Sequence, residues 1–227
     1  SEEENSVNFS LKSNDFKDIV QKTSFAMAQQ DVRYYLNGLY MFLSSEDVFG
    51  VATDGHRLAK AGVTTQLGLQ DNVSAIIPRK GVIEIDKQLE ETDQELMVTI
   101  SKNHLQVVSK SSQAISKLID GKFPDYEQVI PSGESTILVI NRKEFSESLG
   151  RVSVLSSEKY KGIRLITSPD GVRISANNPE QEEGEETFKS SYNGENIEIA
   201  FNVNYIQEVL SNIDSSDCNI NLYGCLL

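Results

Sequence analysis

Hydrophobic and polar residues alternate along several short stretches of this chain, and a period of two residues predicts β-strands. The clearest stretch runs from residue 31 to residue 58. Its β-forming residues from Tyr34 to Leu43 predict one strand with a kink at Asn37-Gly38, and residues 48–51 predict the return strand. Residues 44–47 supply the turn between them. The return strand runs into a polar corner, Thr53-Asp54-Gly55-His56-Arg57, which is followed by an apolar Leu58.

The same order of elements occurs twice, which predicts an internal repeat. Each copy opens with a strand and then a helix whose apolar residues recur at helical spacing. These helical positions are Phe16, Ile19, Val20, Thr23 and Met27 in the first copy and Phe145, Leu149, Val152 and Leu155 in the second. The other matched pairs are Val7–Leu11 with Thr136–Ile140, Arg33–Gly38 with Tyr160–Leu165, 48–54 with Gly171–Asn177, 77–84 with Phe201–Glu208, and Leu96–Ile100 with Cys218–Leu222. Each copy is therefore predicted as β-α-β-β-α-β-β.

The fold class predicted from this repeat is α+β, in two domains. Prolines 124 and 131 punctuate the segment Asp120–Pro131, and we place the boundary at Pro124, giving domains 1–124 and 125–227. The first copy continues through two further strand-like runs, 104–110 and 113–120. Nothing in the second copy corresponds to them, so either the second domain is shortened at its C-terminus or the sequence is incomplete.

Charge restricts how such a chain could meet nucleic acid. With 21 Lys+Arg and 34 Asp+Glu, the formal net charge is −13. Phosphate contacts dominate affinity for DNA, so a DNA-binding role requires a local basic surface on this acidic protein. The sequence has no 18-residue apolar run, and Cys218 and Cys225 form neither a zinc motif nor a disulfide framework. We therefore expect a cytoplasmic protein with no membrane contact, no cofactor and no metal.

Two alternative functions are open from the residues alone. His56 and Asp54 could act as a base and its orienting group in a hydrolase, with the acidic run Glu180–Glu186 holding a metal. No nucleophile or phosphate-binding loop accompanies them, so we expect no catalytic residues. The second alternative is a two-domain adaptor that does not contact DNA.

Several motifs, taken together, carry a family resemblance. The segment 31–58 is similar to the signature hairpin of the bacterial DNA polymerase III beta subunits, the replicative sliding clamps. Further similar motifs follow in the family's order: Ile77–Ile83, Lys117–Pro131, Lys159–Leu165 and Ala176–Glu183. The resemblance implies tandem DNA-clamp domains, each with two helices on a concave side and antiparallel sheets on the outside. It covers the family's middle domain and most of its C-terminal domain, so we expect the N-terminal domain to be absent.

The resemblance implies a non-enzymatic processivity factor that encircles double-stranded DNA and contacts its backbone without sequence specificity. The DNA-binding residues that it implies are Gln30, Tyr34, Tyr35, Arg79 and Lys80. The cations expected on or near the helices, where they would give the inner surface its charge, are Lys12, Lys17, Lys22, Arg79, Lys80, Lys87, Arg142, Lys143 and Arg151. Weak contacts of this kind permit sliding, because base-edge hydrogen bonds would hold the protein at one sequence.

The resemblance also implies a groove between the two domains that binds linear peptides of DNA polymerase subunits, the clamp loader and repair proteins. The matching residues are Leu36, Thr53, Gly55, His56, Arg57, Leu58, Pro124, Val129, Tyr160, Asn202 and Tyr205. The family's C-terminal strand and tail form one wall of this groove, and nothing after Leu222 matches them. Val154 and Leu155 match the interface of a homodimeric ring. We expect the full-length parent to form that ring and this fragment not to form it.

Overall fold

A computed structural model describes residues 6–156, 161–180, 182–190 and 192–223. The chain divides into two compact units, residues 1–126 and residues 127–227. Each described unit combines two α-helices with antiparallel sheets, which is the α+β class that the sequence predicts.

The first unit contains eight strands and two helices among its described residues. Its strands are β1 (Val7–Lys12), β2 (Gly38–Leu43), β3 (Asp47–Thr53), β4 (Leu58–Thr64), β5 (Val73–Pro78), β6 (Glu95–Ile100), β7 (His104–Val108) and β8 (Gln113–Lys117). Its helices are α1 (Ser13–Thr23) and α2 (Arg79–Gln88). The strands form two antiparallel sheets, in the orders β1-β6-β7-β8 and β4-β3-β2-β5.

The second unit contains six strands and two helices among its described residues. The strands are β9 (Ser135–Asn141), β10 (Gly162–Ser168), β11 (Gly171–Asn177), β12 (Glu183–Phe188), β13 (Glu198–Asn202) and β14 (Asp217–Tyr223). The helices are α3 (Arg142–Ser153) and α4 (Val203–Ser211). Their sheet orders are β12-β11-β10-β13 and β14-β9.

The two units share one topology, which confirms the internal repeat. The sheet β4-β3-β2-β5 has the same connections as β12-β11-β10-β13, and the pair β1-β6 corresponds to the pair β9-β14. One backbone hydrogen bond repeats as well. The first residue of the first helix donates its N–H to the loop after the second helix: Ser13 to the Gln94 carbonyl, and Arg142 to the Ser216 carbonyl, both at 2.9 Å.

The structure corrects two predictions about elements. Four strands, and not two, separate the helices in each unit. The missed strands include β4, which contains alanine and glycine, and β12, which is rich in glutamate. Their β-branched and aromatic residues stand only at the end of each strand, Val63 and Thr64 in β4 and Thr187 and Phe188 in β12. The predicted strand from Tyr34 begins only at Gly38, since Tyr34–Leu36 forms a 3-10 turn in which the Asn37 N–H bonds to the Tyr34 carbonyl.

Each unit has hydrophobic clusters built from its own residues. In the first unit, α1 buries Phe16, Ile19 and Val20 against β3 and β4. In the second unit, α3 buries Phe145, Leu149 and Val152. The helix faces predicted from the 3.6-residue period are therefore the faces that pack inward.

Candidate functional site

The polar corner between β3 and β4 is a tightly hydrogen-bonded turn. The Asp54 carboxylate accepts the backbone N–H groups of His56 (2.9 Å) and Arg57 (3.1 Å), and its second oxygen accepts Arg57 Nε at 3.1 Å. The Thr53 hydroxyl donates to the Arg57 carbonyl at 2.6 Å and accepts the Gly55 N–H at 3.1 Å. Gly55 has φ +89°, a backbone conformation that residues other than glycine rarely adopt. The corner thus has a fixed shape, with His56 exposed at its tip.

A second ordered segment, residues 28–37, lies beside this corner. Asp31 accepts two hydrogen bonds from the Arg33 guanidinium, at 3.0 and 2.8 Å, and a third from the Arg33 N–H at 2.8 Å. These bonds lower the pKa of Asp31 to about 2, and the same carboxylate raises the pKa of Arg33. Arg33 Nη2 also donates to the Asp54 carbonyl at 3.4 Å, so the two segments are linked through one side chain.

Apolar residues from both segments meet in one cluster. Leu36 is 2% exposed and packs with Val51, Ile76 and Phe123, and the half-buried Leu58 packs against the same cluster. The structure therefore brings together the predicted groove residues Leu36 and Leu58. Leu36 is buried beneath the surface of this cluster, whereas part of the Leu58 side chain is exposed to solvent.

Three of the five predicted DNA-binding residues line a single cavity. Gln30, Arg79 and Lys80 all border an open cavity of about 400 Å³. Gln30 has φ +57°, one of the rare left-handed conformations outside glycine. Tyr34 and Tyr35 contact each other edge to face, with ring centroids 5.8 Å apart. The exposed Tyr34 ring lies close to Gly121.

The remaining predicted groove residues differ in exposure, and one of them has a role in the fold. Pro124 and Val129 are exposed, and Tyr205 is half-buried on α4. The Asn202 side chain accepts the Asn204 N–H at 2.9 Å and is thereby the N-cap of α4. Tyr160 lies outside the described residues. Asn202 thus has a structural role of its own, whether or not it contacts a ligand.

The two predicted interface residues differ in exposure. Val154, directly after α3, is 79% exposed. Leu155 is half-buried and lies against Gly184 of β12. Val154 is therefore the side chain that is available to a partner.

Several cations expected on an inner surface are instead engaged within their own unit. Lys17 is buried and donates to the Asp86 (3.0 Å) and Leu89 (3.2 Å) carbonyls near the end of α2. Arg142 donates to the Leu210 carbonyl in the last turn of α4 and to the Ser215 carbonyl after it. Arg151 forms a two-bond pair with Glu186, which lowers the pKa of Glu186 and raises that of Arg151. Lys17 and Arg142 connect elements within their units, and the charge of the exposed Arg151 is balanced by Glu186. All three therefore contribute less to attracting phosphate than the sequence suggested.

The geometry of Asp54 gives no support to a catalytic pair with His56. Both of its carboxylate oxygens are occupied by the backbone of the turn and by Arg57. Across the described ranges, no group of three or more His, Cys, Asp or Glu side chains could hold a metal ion. The described helices also include none that is long and apolar enough to span a membrane.

Sequence reasoning missed the residues that shape these surfaces. Arg33 was not singled out, although the spacing Asp-x-Arg is short enough for a local ion pair. Ala28, Gln29 and Ile83 line the same cavity as Arg79 and were also missed, because no sequence pattern connects residue 28 with residue 83. Lys60, which lies over the Phe49 ring at 4.4 Å, was likewise not predicted.

Comparison with known proteins assigns the fold to a family. The central-domain model of the DNA polymerase III beta subunit matches residues 10–125, and its C-terminal-domain model matches residues 127–226. Together the two models cover most of the chain. The chain belongs to the DNA polymerase III beta subunit family.

Individual relatives agree with this assignment. The chain is 46% identical over 205 residues to the beta sliding clamp of Pseudomonas aeruginosa and 42% identical over 205 residues to that of Escherichia coli, covering 90% of this chain in each case. Crystal structures of the Pseudomonas aeruginosa sliding clamp, one of them bound to griselimycin, superpose with a TM-score of 0.93 at 44% identity over 96% of this chain. The chain spans 56% of the length of these curated relatives and about 60% of the crystallised chains.

Proposed function

We propose that this chain acts as part of a sliding clamp, a processivity factor that encircles duplex DNA and tethers the bacterial replicative polymerase to it. The observation that carries the proposal is the similarity to crystallised sliding clamps, with a TM-score of 0.93 at 44% identity. In a protein of the relatives' full length, Val154 and Leu155 would contribute to a homodimeric ring. A cytoplasmic location, where replication takes place, belongs to the same proposal.

The DNA contact in this proposal is electrostatic and independent of sequence. Arg79 and Lys80 would meet backbone phosphates, with Gln30, Tyr34 and Tyr35 beside them. The formal net charge of −13 makes the rest of the chain repel DNA, which favours weak, local contacts over tight binding. Weak contacts to phosphate are the kind that allow a protein to move along the duplex.

The partner contact is the corner around Leu58, which we propose binds linear peptides of polymerase subunits, the clamp loader and repair proteins. Leu36, Thr53, Gly55, His56 and Arg57 form its fixed base. The exposed face of Leu58 would receive an apolar side chain, and the polar turn would bond to peptide carbonyls. The further groove contacts Pro124, Val129, Tyr160, Asn202 and Tyr205 stay predictions. In this proposal the chain has no catalytic role of its own.

A calorimetric titration tests the peptide contact directly. We expect a peptide with a Gln-x-x-Leu-Phe anchor to bind with Kd near 1 μM, about −8 kcal/mol. Leu58→Ser should weaken binding at least tenfold because it removes an apolar contact. The matched control is Leu67→Ser, which changes another half-buried leucine outside the corner and should leave the affinity unchanged. Equal effects of the two substitutions, or no binding to the unaltered chain, would argue against the corner as the partner site.

A further inference from the structure

The cavity bordered by Gln30, Arg79 and Lys80 is not uniformly polar. Ala28 and Ile83 give it an apolar wall, Gln29 and Gln30 supply amides, and Arg79 and Lys80 supply positive charge. Its volume of about 400 Å³ is within the range of small-ligand sites. A surface that contacted only the phosphates of a duplex would need the charge but not the apolar wall.

The cavity has a preorganised shape. The Asn37 side chain donates to the Asp31 carbonyl and accepts the Asp31 N–H, both at 2.9 Å, which fixes the loop carrying Gln30. The Arg79 N–H donates to the Asn37 carbonyl at 2.9 Å, which joins the start of α2 to that loop. The side of the cavity formed by residues 28–30 is therefore held in place against α2 before any ligand arrives.

Charge selects the class of ligand. The acidic residue at this cavity, Glu84, pairs with Lys87 one turn along α2, at 3.4 Å. A second cavity of about 360 Å³, beside α1, has the opposite character, since its three carboxylates, Asp15, Asp18 and Glu91, outnumber its one cation, Lys17. An anionic ligand is thus attracted to the first cavity and repelled from the second.

We propose that the cavity at the start of α2 binds one unstacked nucleotide of single-stranded DNA. The base packs on the apolar wall of Ala28 and Ile83, the amides of Gln29 and Gln30 meet its polar edge, and Arg79 and Lys80 meet its phosphate. This inference rests on the proposed DNA-binding function and adds a ligand to it. A base inside a duplex is stacked and paired and cannot enter, so the site distinguishes unpaired from paired DNA.

NMR titration of the chain with three DNAs tests the inference: a single-stranded dT oligomer, a blunt duplex and the same duplex with a single-stranded overhang. We expect the amide signals of residues 28, 29 and 83 to shift with the single strand and with the overhang, and not with the blunt duplex, which would reach only the charged side of the cavity. Ile83→Ser should weaken single-strand binding about five- to tenfold by removing the apolar contact, and should leave binding of the blunt duplex unchanged.

Charge reversal on α2 separates the cavity from general electrostatics. Lys80→Glu and Lys87→Glu change the net charge equally, on one helix, but only Lys80 lines the cavity. We expect Lys80→Glu to weaken single-strand binding at least tenfold and Lys87→Glu to weaken it less than threefold. Equal losses, or equal shifts with blunt duplex and single strand, would overturn the nucleotide site while leaving a DNA-binding surface. No shift with any of the DNAs would overturn both the site and the proposed DNA contact.

Discussion

The Asp31 carboxylate accepts three hydrogen bonds from a single neighbour, Arg33, and this pair orders the segment between the corner and the cavity. The side-chain bonds contribute most to the lowered pKa of Asp31, followed by the bond from the Arg33 N–H. Because the folded-state pKa is below the ordinary value, the stabilisation is complete above about pH 4. It is lost as the pH falls toward 2.

A carboxyl-detected NMR titration measures this pKa. We expect Asp31 to titrate at about 2 in the unaltered chain and close to its ordinary value of 3.8 in Arg33→Gln. Arg164→Gln, which removes a surface arginine that pairs with Glu198 in the second unit, should leave the pKa of Asp31 unchanged. A normal pKa in the unaltered chain would show that the pair does not form in solution.

Lys17 shows how a cation on an amphipathic helix can be structural. Its ammonium group binds two carbonyls near the end of α2 and pairs with Asp86 at 3.4 Å. We expect Lys17→Met to lower the free energy of unfolding by about 2–3 kcal/mol, because charged hydrogen bonds in a buried site are lost. Lys22→Met, on the same helix but in an exposed pair with Asp18, should cost less than about 1 kcal/mol. Urea unfolding measures the free energy of unfolding of both variants. Equally small losses of stability would contradict a structural role for Lys17.

At the scale of elements, the close approach of α2 to β8 depends on a glycine within the helix. A Cβ at Gly81 would lie 2.1 Å from the Ser116 hydroxyl oxygen and 2.9 Å from its Cβ. The motif Ile77–Ile83 therefore contains a packing requirement that its sequence does not reveal. Alanine normally favours a helix over glycine by about 1 kcal/mol, and here the contact opposes that preference.

Two glycine-to-alanine substitutions, one in a helix of each unit, test this. Gly81→Ala should destabilise the chain by about 1–3 kcal/mol through overpacking, and adding Ser116→Gly should recover part of the loss. Gly150→Ala on α3 is the control, because the added Cβ would lie 4.0 Å from Gln207 Nε2, an ordinary van der Waals distance. We expect it to stabilise by about 0.5–1 kcal/mol. If thermal or urea unfolding showed both alanine variants to be more stable than the unaltered chain, α2 would be able to move away from β8.

At the scale of the whole molecule, the two units repeat one topology but build their cores separately. Residues of 1–126 form two buried clusters, and residues of 127–227 form another. Both units are of a size that folds with its own core. Each unit therefore carries its own hydrophobic stabilisation.

Hydrogen exchange after a core deletion in one unit tests this separation. Leu149→Ala truncates a fully buried side chain of the second unit. It should lower the free energy of the opening that exposes amides of that unit to exchange by about 3 kcal/mol. Protection in the first unit should not change. Leu105→Ala, which is equally buried in the first unit, is the reciprocal variant. A loss of protection that spread through both units in each variant would show one cooperative core.

The sequence by itself determined the repeat, the class of fold and the inward faces of α1 and α3, because these depend on the period of apolar residues along the chain. It also contained the corner Thr53–Leu58, whose bonds join residues two to four positions apart. Only the tertiary structure decided which cations are engaged by groups distant along the chain. Lys17, Arg142 and Arg151 look like Lys80 in the sequence, but carbonyls or carboxylates distant along the chain engage them. The cavity that joins residues 28–30 to α2 was equally invisible, because contacts between distant segments leave no local pattern.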